Sequence, residues 1–165
     1  MILRELFETN FSIFISIFLF SEFFIWLELL LILIFLVLKF LRKKPFDYKK
    51  FFLQALFSLV SFYLIKIILD YYFGRPRPYL SFGYDYFSYI FPTNKTFLSG
   101  HSGLGMIFAV LSFRISKFLS YFNFFLSTIG GILRSLLLIH WPYEVIASWW
   151  IAFLISTLLY NIYKE

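Results

Sequence analysis

Residues 51–73 read FFLQALFSLVSFYLIKIILDYYF, and residues 74–78, GRPRP, follow directly. The first stretch is long enough to cross a bilayer, which takes about 20 predominantly apolar residues. Its only charged side chains are Lys66 and Asp70, four positions apart and therefore on one helical face. The second stretch ends the helix, because a glycine and two prolines break it while two arginines stand at its exit. The pair predicts a spanning helix that delivers a stiff, basic turn to one face of a membrane.

The rest of the chain repeats this arrangement. Further apolar spans are expected near Ser21–Phe40, Gly100–Leu119, Phe122–Ile139 and Pro142–Tyr163. Ahead of them, Ile2–Phe14 sets Ile2, Leu3, Leu6 and Phe7 against Arg4, Glu5, Glu8 and Asn10, the spacing of a helix lying in the interface. Two full spans do not fit comfortably between Phe11 and Leu38. The expectation is therefore an all-α integral membrane protein, a bundle of five transmembrane helices with an N-terminal interfacial helix. Two short spans in that region, giving six, are the alternative. Residues 1–165 would form a single transmembrane domain.

Composition agrees. The chain is 61% hydrophobic and 25% aromatic, with a mean hydropathy of +0.83, whereas a soluble domain is nearer half apolar. It has no cysteine, which excludes disulfides and thiolate metal sites. The N-terminus carries Arg4, Glu5 and Glu8 and lacks the basic start and short apolar stretch of a cleavable signal peptide. The net charge of +6 does not point to nucleic acid, because the basic residues gather beside the spans. Lys39, Arg42, Lys43, Lys44, Lys49 and Lys50 crowd the first loop, Arg114 and Lys117 the next loop on that side, and Lys164 the C-terminus. The positive-inside rule puts these on the cytoplasmic face. Arg75, Arg77, His101 and His140 then fall on the opposite face, periplasmic or extracellular.

Three clusters on that face read as phosphate chemistry. Ser99-Gly100-His101 precedes an apolar run. Ser99 suits a helix N-cap, the helix start offers free N–H groups and a positive dipole end to an anion, and His101 stands within reach as an acid. A plain serine cap followed by an interfacial histidine is the alternative. Arg134 lies inside an apolar segment, where a guanidinium faces a polar cavity or else snorkels to the interface. Its planar fork suits bidentate phosphate binding. In His140-Trp141-Pro142-Tyr143-Glu144, Pro142 suits the first helical position. Glu144 would accept a hydrogen bond from one imidazole nitrogen and aim the other at phosphorus, or merely complement the helix dipole. Arg75 and Arg77 form an anion clamp on the proline-stiffened turn. Lys66 and Asp70, four apart on one helical face, are placed to pair with each other in the membrane. A metal held by His140, Glu144 and His101 is the less favoured alternative, because the neighbouring arginines would repel a cation.

Together these residues resemble the type 2 phosphatidic acid phosphatase family of lipid phosphate phosphatases. Its three motifs, Lys-x6-Arg-Pro, Pro-Ser-Gly-His and Ser-Arg-x5-His-x3-Asp, are matched in order over Lys66–Glu144. Asp70 stands at the family lysine position, with Lys66 one turn deeper and Lys95 in the long loop as another substitute. Leu98 replaces the proline, Leu133 the serine and Glu144 the aspartate. The resemblance implies that His140 is a nucleophile forming a phosphohistidine, that Glu144 orients it, and that His101 protonates the leaving oxygen. Arg75, Arg77, Ser99, Gly100, Arg134 and Lys66 would hold the phosphate, with no metal and no cofactor. The implied partners are the bilayer and a membrane lipid phosphate. Lipid A 1-phosphate ranks first, because a bulky anionic glycolipid suits an open, basic, aromatic rim. Undecaprenyl pyrophosphate and phosphatidylglycerophosphate are the other substrates considered, and the expected setting is a bacterial inner membrane with the site facing the periplasm. A non-catalytic lipid-phosphate-binding or transport protein is the alternative of another class.

Overall fold

The computed structural model describes residues 11–43, 45–83 and 95–163. Its elements are α1 (Phe11–Leu41), α2 (Tyr48–Phe73), β1 (Arg75–Pro76), α3 (Pro78–Ser81), β2 (Lys95–Thr96), α4 (Gly100–Ser112), α5 (Lys117–Leu136) and α6 (Pro142–Ile162). The protein is an all-α membrane protein. Helices α2 and α6, and α1 from Ile15 onward, are long and apolar enough to cross a bilayer, and α4 is a shorter apolar helix. At 13 residues, α4 is about 20 Å long, well short of a hydrocarbon core of about 30 Å.

Helix α1 runs unbroken through 31 residues, so the alternative of two short spans before Leu38 is not adopted. Most of the expected interfacial helix over Ile2–Phe14 lies outside the described residues, as do Lys44 and Lys164, and from Phe11 onward the chain already belongs to α1. A second boundary differs from the sequence reading. The break expected after Leu119 comes at residues 113–116, and α5 starts at Lys117, ahead of the expected Phe122. The cause is local. Ser112 Oγ turns back onto the Phe108 carbonyl at 2.7 Å. The N–H groups of Phe113, Arg114 and Ile115 tighten into i→i−3 bonds. Arg114 swings inward to Gln54 Oε1 and the Tyr160 carbonyl.

Helix α4 sits at the centre, packed against α1, α2, α5 and α6. The surface is apolar: Leu33, Val37, Leu56, Leu64, Leu154 and Leu158 all face outward. The interior mixes apolar residues (Phe62, Ile107, Leu111, Leu119, Ala152) with buried Gln54, Ser58, Ser112, Asn123, Ser148 and Ser156. Lipid tails give apolar side chains little reason to turn inward, so the helices associate through close packing and interhelical hydrogen bonds. Gln54 Nε2 donates to the Ser156 carbonyl at 3.2 Å and Asn123 Nδ2 to Ser112 Oγ at 2.8 Å. Glycine permits the tightest approach at Gly103, where a Cβ would run into the Phe62 ring.

The loop after α2 is closed by a small antiparallel ladder pairing Arg75 with Thr96 and Pro76 with Lys95. It brings the end of α2 beside the start of α4. The same end of the bundle holds the α5–α6 turn and the first half of α1, while Lys39, Arg42, Lys43, Lys49, Lys50, Arg114 and Lys117 lie near the opposite helix ends.

Candidate active site

Ser99 caps α4 in an extended conformation, its Oγ accepting from Ser102 N at 3.4 Å and from Ser102 Oγ at 2.9 Å. Its own N–H donates to Ser148 Oγ at 2.7 Å, and that hydroxyl donates to the Glu144 carbonyl at 2.6 Å. The starts of α4 and α6 are thereby tied together. Asp70 fixes the approach to α4: its Oδ1 accepts from Phe97 N at 2.8 Å and Leu98 N at 3.0 Å, while Oδ2 pairs with Lys66. Lys66 Cε and the Tyr63 hydroxyl flank Gly100, at 3.6 and 3.7 Å from where a Cβ would stand. Lys66 therefore reaches up to the start of α4. Lys95 is exposed in β2, its Cβ against Gly74.

The turn between α5 and α6 holds the second histidine. The Arg134 carbonyl accepts from both Ile139 N and His140 N. Leu138 takes a left-handed φ of 57°, a conformation that costs a non-glycine residue about 1 kcal/mol or more. This aims the Ile139 carbonyl at Arg77, whose NH1 donates to it at 3.1 Å. Arg77 is buried, whereas Arg75 is exposed and engages Tyr143 at the rim. The clamp expected of both arginines is thus built inward by Arg77 alone.

Pro142 opens α6, and Glu144 occupies its first turn with no solvent exposure. Glu144 Oε2 lies 2.9 Å from His140 Nδ1 and 3.4 Å from Trp141 N. With Glu144 ionised its carboxylate only accepts, and Nδ1 then carries the proton while Nε2 keeps its lone pair. His140 is 5% exposed. Burial, reinforced by the positive charges of Arg77, Arg134, Lys66 and His101, pulls its pKa well below the usual histidine value.

The structure thus brings together Lys66, Arg77, Ser99, Gly100, His101, Arg134, His140 and Glu144, and leaves Arg75 at the edge. It adds Glu22 of α1, which the sequence reading passed over. Glu22 Oε2 lies 2.8 Å from His101 Nε2, and Oε1 accepts from the Arg134 guanidinium. The signal was available, since an ionisable residue inside an apolar span points to the bundle interior. Glu28, six residues on and fully buried, is a second such residue. The described residues contain no group of three or more His, Asp or Glu side chains arranged to hold a metal.

A family model described as the PAP2 superfamily matches residues 51–165. The chain belongs to the PAP2 superfamily. Its members are phosphatases, often acting on lipid substrates, which makes this chain a phosphoric ester hydrolase of the membrane. The match includes every site residue expected from the sequence and stops short of α1 and Glu22. No curated protein and no solved structure matches the chain.

Proposed function

We propose that this PAP2 protein hydrolyses a phosphomonoester or pyrophosphate on a membrane lipid, without a metal, through a phosphohistidine at His140. The observation that carries the reading is the His140–Glu144 pair, with a buried imidazole held by Nδ1 among cationic groups. Nε2 of His140 would attack phosphorus while the P–O bond to the lipid breaks and His101 hands its proton to the departing oxygen. Water would then attack the phosphohistidine, with His101 taking the water's proton, releasing inorganic phosphate and restoring both histidines. Arg77, Arg134, Lys66 and the N–H groups at Gly100 and His101 would carry the charge on the equatorial oxygens. Arg75 at the rim would meet the incoming anion first.

The rim also bears on substrate. Tyr71, Tyr72, Phe73, Phe82 and Tyr143 are exposed at the helix ends that carry the site, and Trp141 Nε1 braces the turn by donating to the Pro76 carbonyl at 3.1 Å. Such a rim, with Arg75 and Lys95, suits a large anionic headgroup at the interface, and lipid A 1-phosphate is the first substrate to offer. The face is the one opposite the basic loops, periplasmic in a bacterial inner membrane. Both histidines with carboxylate partners favour turnover over mere binding or transport, which needs neither a nucleophile nor an acid.

The test is phosphate release by detergent-purified protein in excess EDTA, offered lipid A, undecaprenyl pyrophosphate and phosphatidylglycerophosphate side by side. The expected result is EDTA-resistant release, greatest from lipid A, that His140→Ala abolishes. Release by His140→Ala at the wild-type rate would overturn the nucleophile. Tight binding of these lipids without release would establish the non-catalytic alternative.

A further inference from the structure

Glu22 lies outside the region that defines the family, on a helix the chemistry described so far does not need. Yet both of its oxygens are committed to the site, Oε2 to His101 Nε2 at 2.8 Å and Oε1 to the Arg134 guanidinium. The arrangement repeats that of Glu144 on His140, with the opposite ring nitrogen engaged. Two of the molecule's carboxylates thus hold its two histidines. We propose that Glu22 is the positioning residue of His101, the carboxylate that holds its ring in the orientation proton transfer needs. The inference rests on the reading of His101 as the acid.

The chemistry follows from which nitrogen is taken. With Nε2–H held by Glu22, Nδ1 is the nitrogen left to serve substrate. In the first step, His101 as imidazolium gives the Nδ1 proton to the lipid oxygen as the P–O bond breaks. In the second, the neutral ring accepts a proton from the attacking water at Nδ1. Glu22 keeps its hydrogen bond to Nε2–H throughout and takes no proton itself. Its other oxygen holds Arg134 in register with the same ring, so one side chain fixes the relation of acid to phosphate clamp. Glutamine cannot do both, because it has one acceptor oxygen where two donors must be met. At position 22 it would turn an N–H toward either the imidazole or the guanidinium.

A different role for the same contacts is an internal anion competing with phosphate for Arg134. The two make opposite predictions. Glu22→Gln and Glu22→Asp are compared with the wild type on the lipid phosphate that the wild type cleaves and on p-nitrophenyl phosphate, whose nitrophenolate departs without protonation. Acting through the acid, Glu22→Gln should lose about 10²-fold in kcat on the lipid ester, the lower end of what a positioned acid contributes, and less than about 10-fold on the aryl ester, with KM little changed. Glu22→Asp, which keeps the charge, should recover part of the loss on the lipid alone. Equal losses on both substrates would reduce Glu22 to a structural brace and overturn the inference. A lower KM with kcat intact would overturn it in favour of the competing anion. If Glu22→Gln does not fold, Glu22→Asp carries the same comparison between leaving groups. A wild type active on the lipid and silenced by His140→Ala, with Glu22→Gln unaltered, would sink this inference alone. A wild type inert toward both substrates would remove the reading of the site and this inference with it.

Discussion

At the scale of single residues, the site depends on whether His140 stays neutral. Its ring is buried, and that burial, with the positive charges of Arg77, Arg134, Lys66 and His101, depresses its pKa. The sign of the resulting pH dependence is fixed. The unfolded chain binds a proton on this histidine near pH 6.5 and the folded protein does not, so stability is full above that pH and declines below it. The decline approaches about 1.4 kcal/mol per pH unit until the folded-state pKa is reached. Thermal unfolding in detergent should therefore show a larger drop in Tm from about pH 7 to about pH 5 for the wild type than for His140→Gln, which lacks the titrating ring. Parallel curves would mean that His140 is not held neutral. Asp70 shows the other side of residue-level reading. At the position where the family motif has lysine, it holds two backbone N–H groups of the segment between β2 and α4 and pairs with the Lys66 that reaches Gly100. The exchange keeps a lysine beside Gly100 and adds an anchor for the loop.

At the scale of elements, the helices are fitted to one another by small residues, and the fit is uneven enough to test. A Cβ on Gly105 of α4 would lie 2.6 Å from Ser127 Oγ and 3.1 Å from Glu28 Oε2. These groups line a cavity of about 10 Å³ that also touches His101 and Arg134, room for about one water. On α5, a Cβ on Gly130 would meet nothing nearer than Phe24 at 3.9 Å. Gly105→Ala should thus destabilise by about 1–3 kcal/mol through overpacking. Gly130→Ala should be neutral or stabilising by up to about 1 kcal/mol, as expected for an unstrained glycine in a helix. Unfolding midpoints of the two variants in one detergent check the pair, and equal effects would mean that α1, α4 and α5 do not meet as closely as described. Hydropathy could not reveal these contacts. It located α2 and α6 within a few residues, because both are uniformly apolar. It misplaced the α4–α5 break, because Arg114 is drawn inward by Gln54 and Tyr160 and buried Asn123 and Ser127 make α5 less uniformly apolar.

At the scale of the whole molecule, the ordered motifs Ser99-Gly100-His101, Arg134, His140 and Glu144 were legible because each is a local chain signature at a helix end. Glu22 was not, because it joins the site from a helix that precedes all of them, and only the packing of α1 on α4 and α5 brings it there. The inward turn of Arg77 and the outward one of Arg75 were equally hidden, since the choice is made by the Ile139 carbonyl, 62 residues away. What the sequence does offer at this scale is orientation. The site gathers at one end of the bundle, and Lys39, Arg42, Lys43, Lys49, Lys50, Arg114 and Lys117 lie near the other. Retention of that basic end in the cytoplasm would expose the site to the periplasm. The chain has no cysteine, so Ser81→Cys would introduce a single thiol, at an exposed position just beyond Arg77. In intact cells a membrane-impermeant maleimide should label it without permeabilisation, while a cysteine placed at the exposed Lys43 should stay unlabelled until the membrane is opened. The reverse pattern would put the site in the cytoplasm. A lipid phosphate of the outer leaflet would then be out of reach, and the substrate would have to be sought on the inner one.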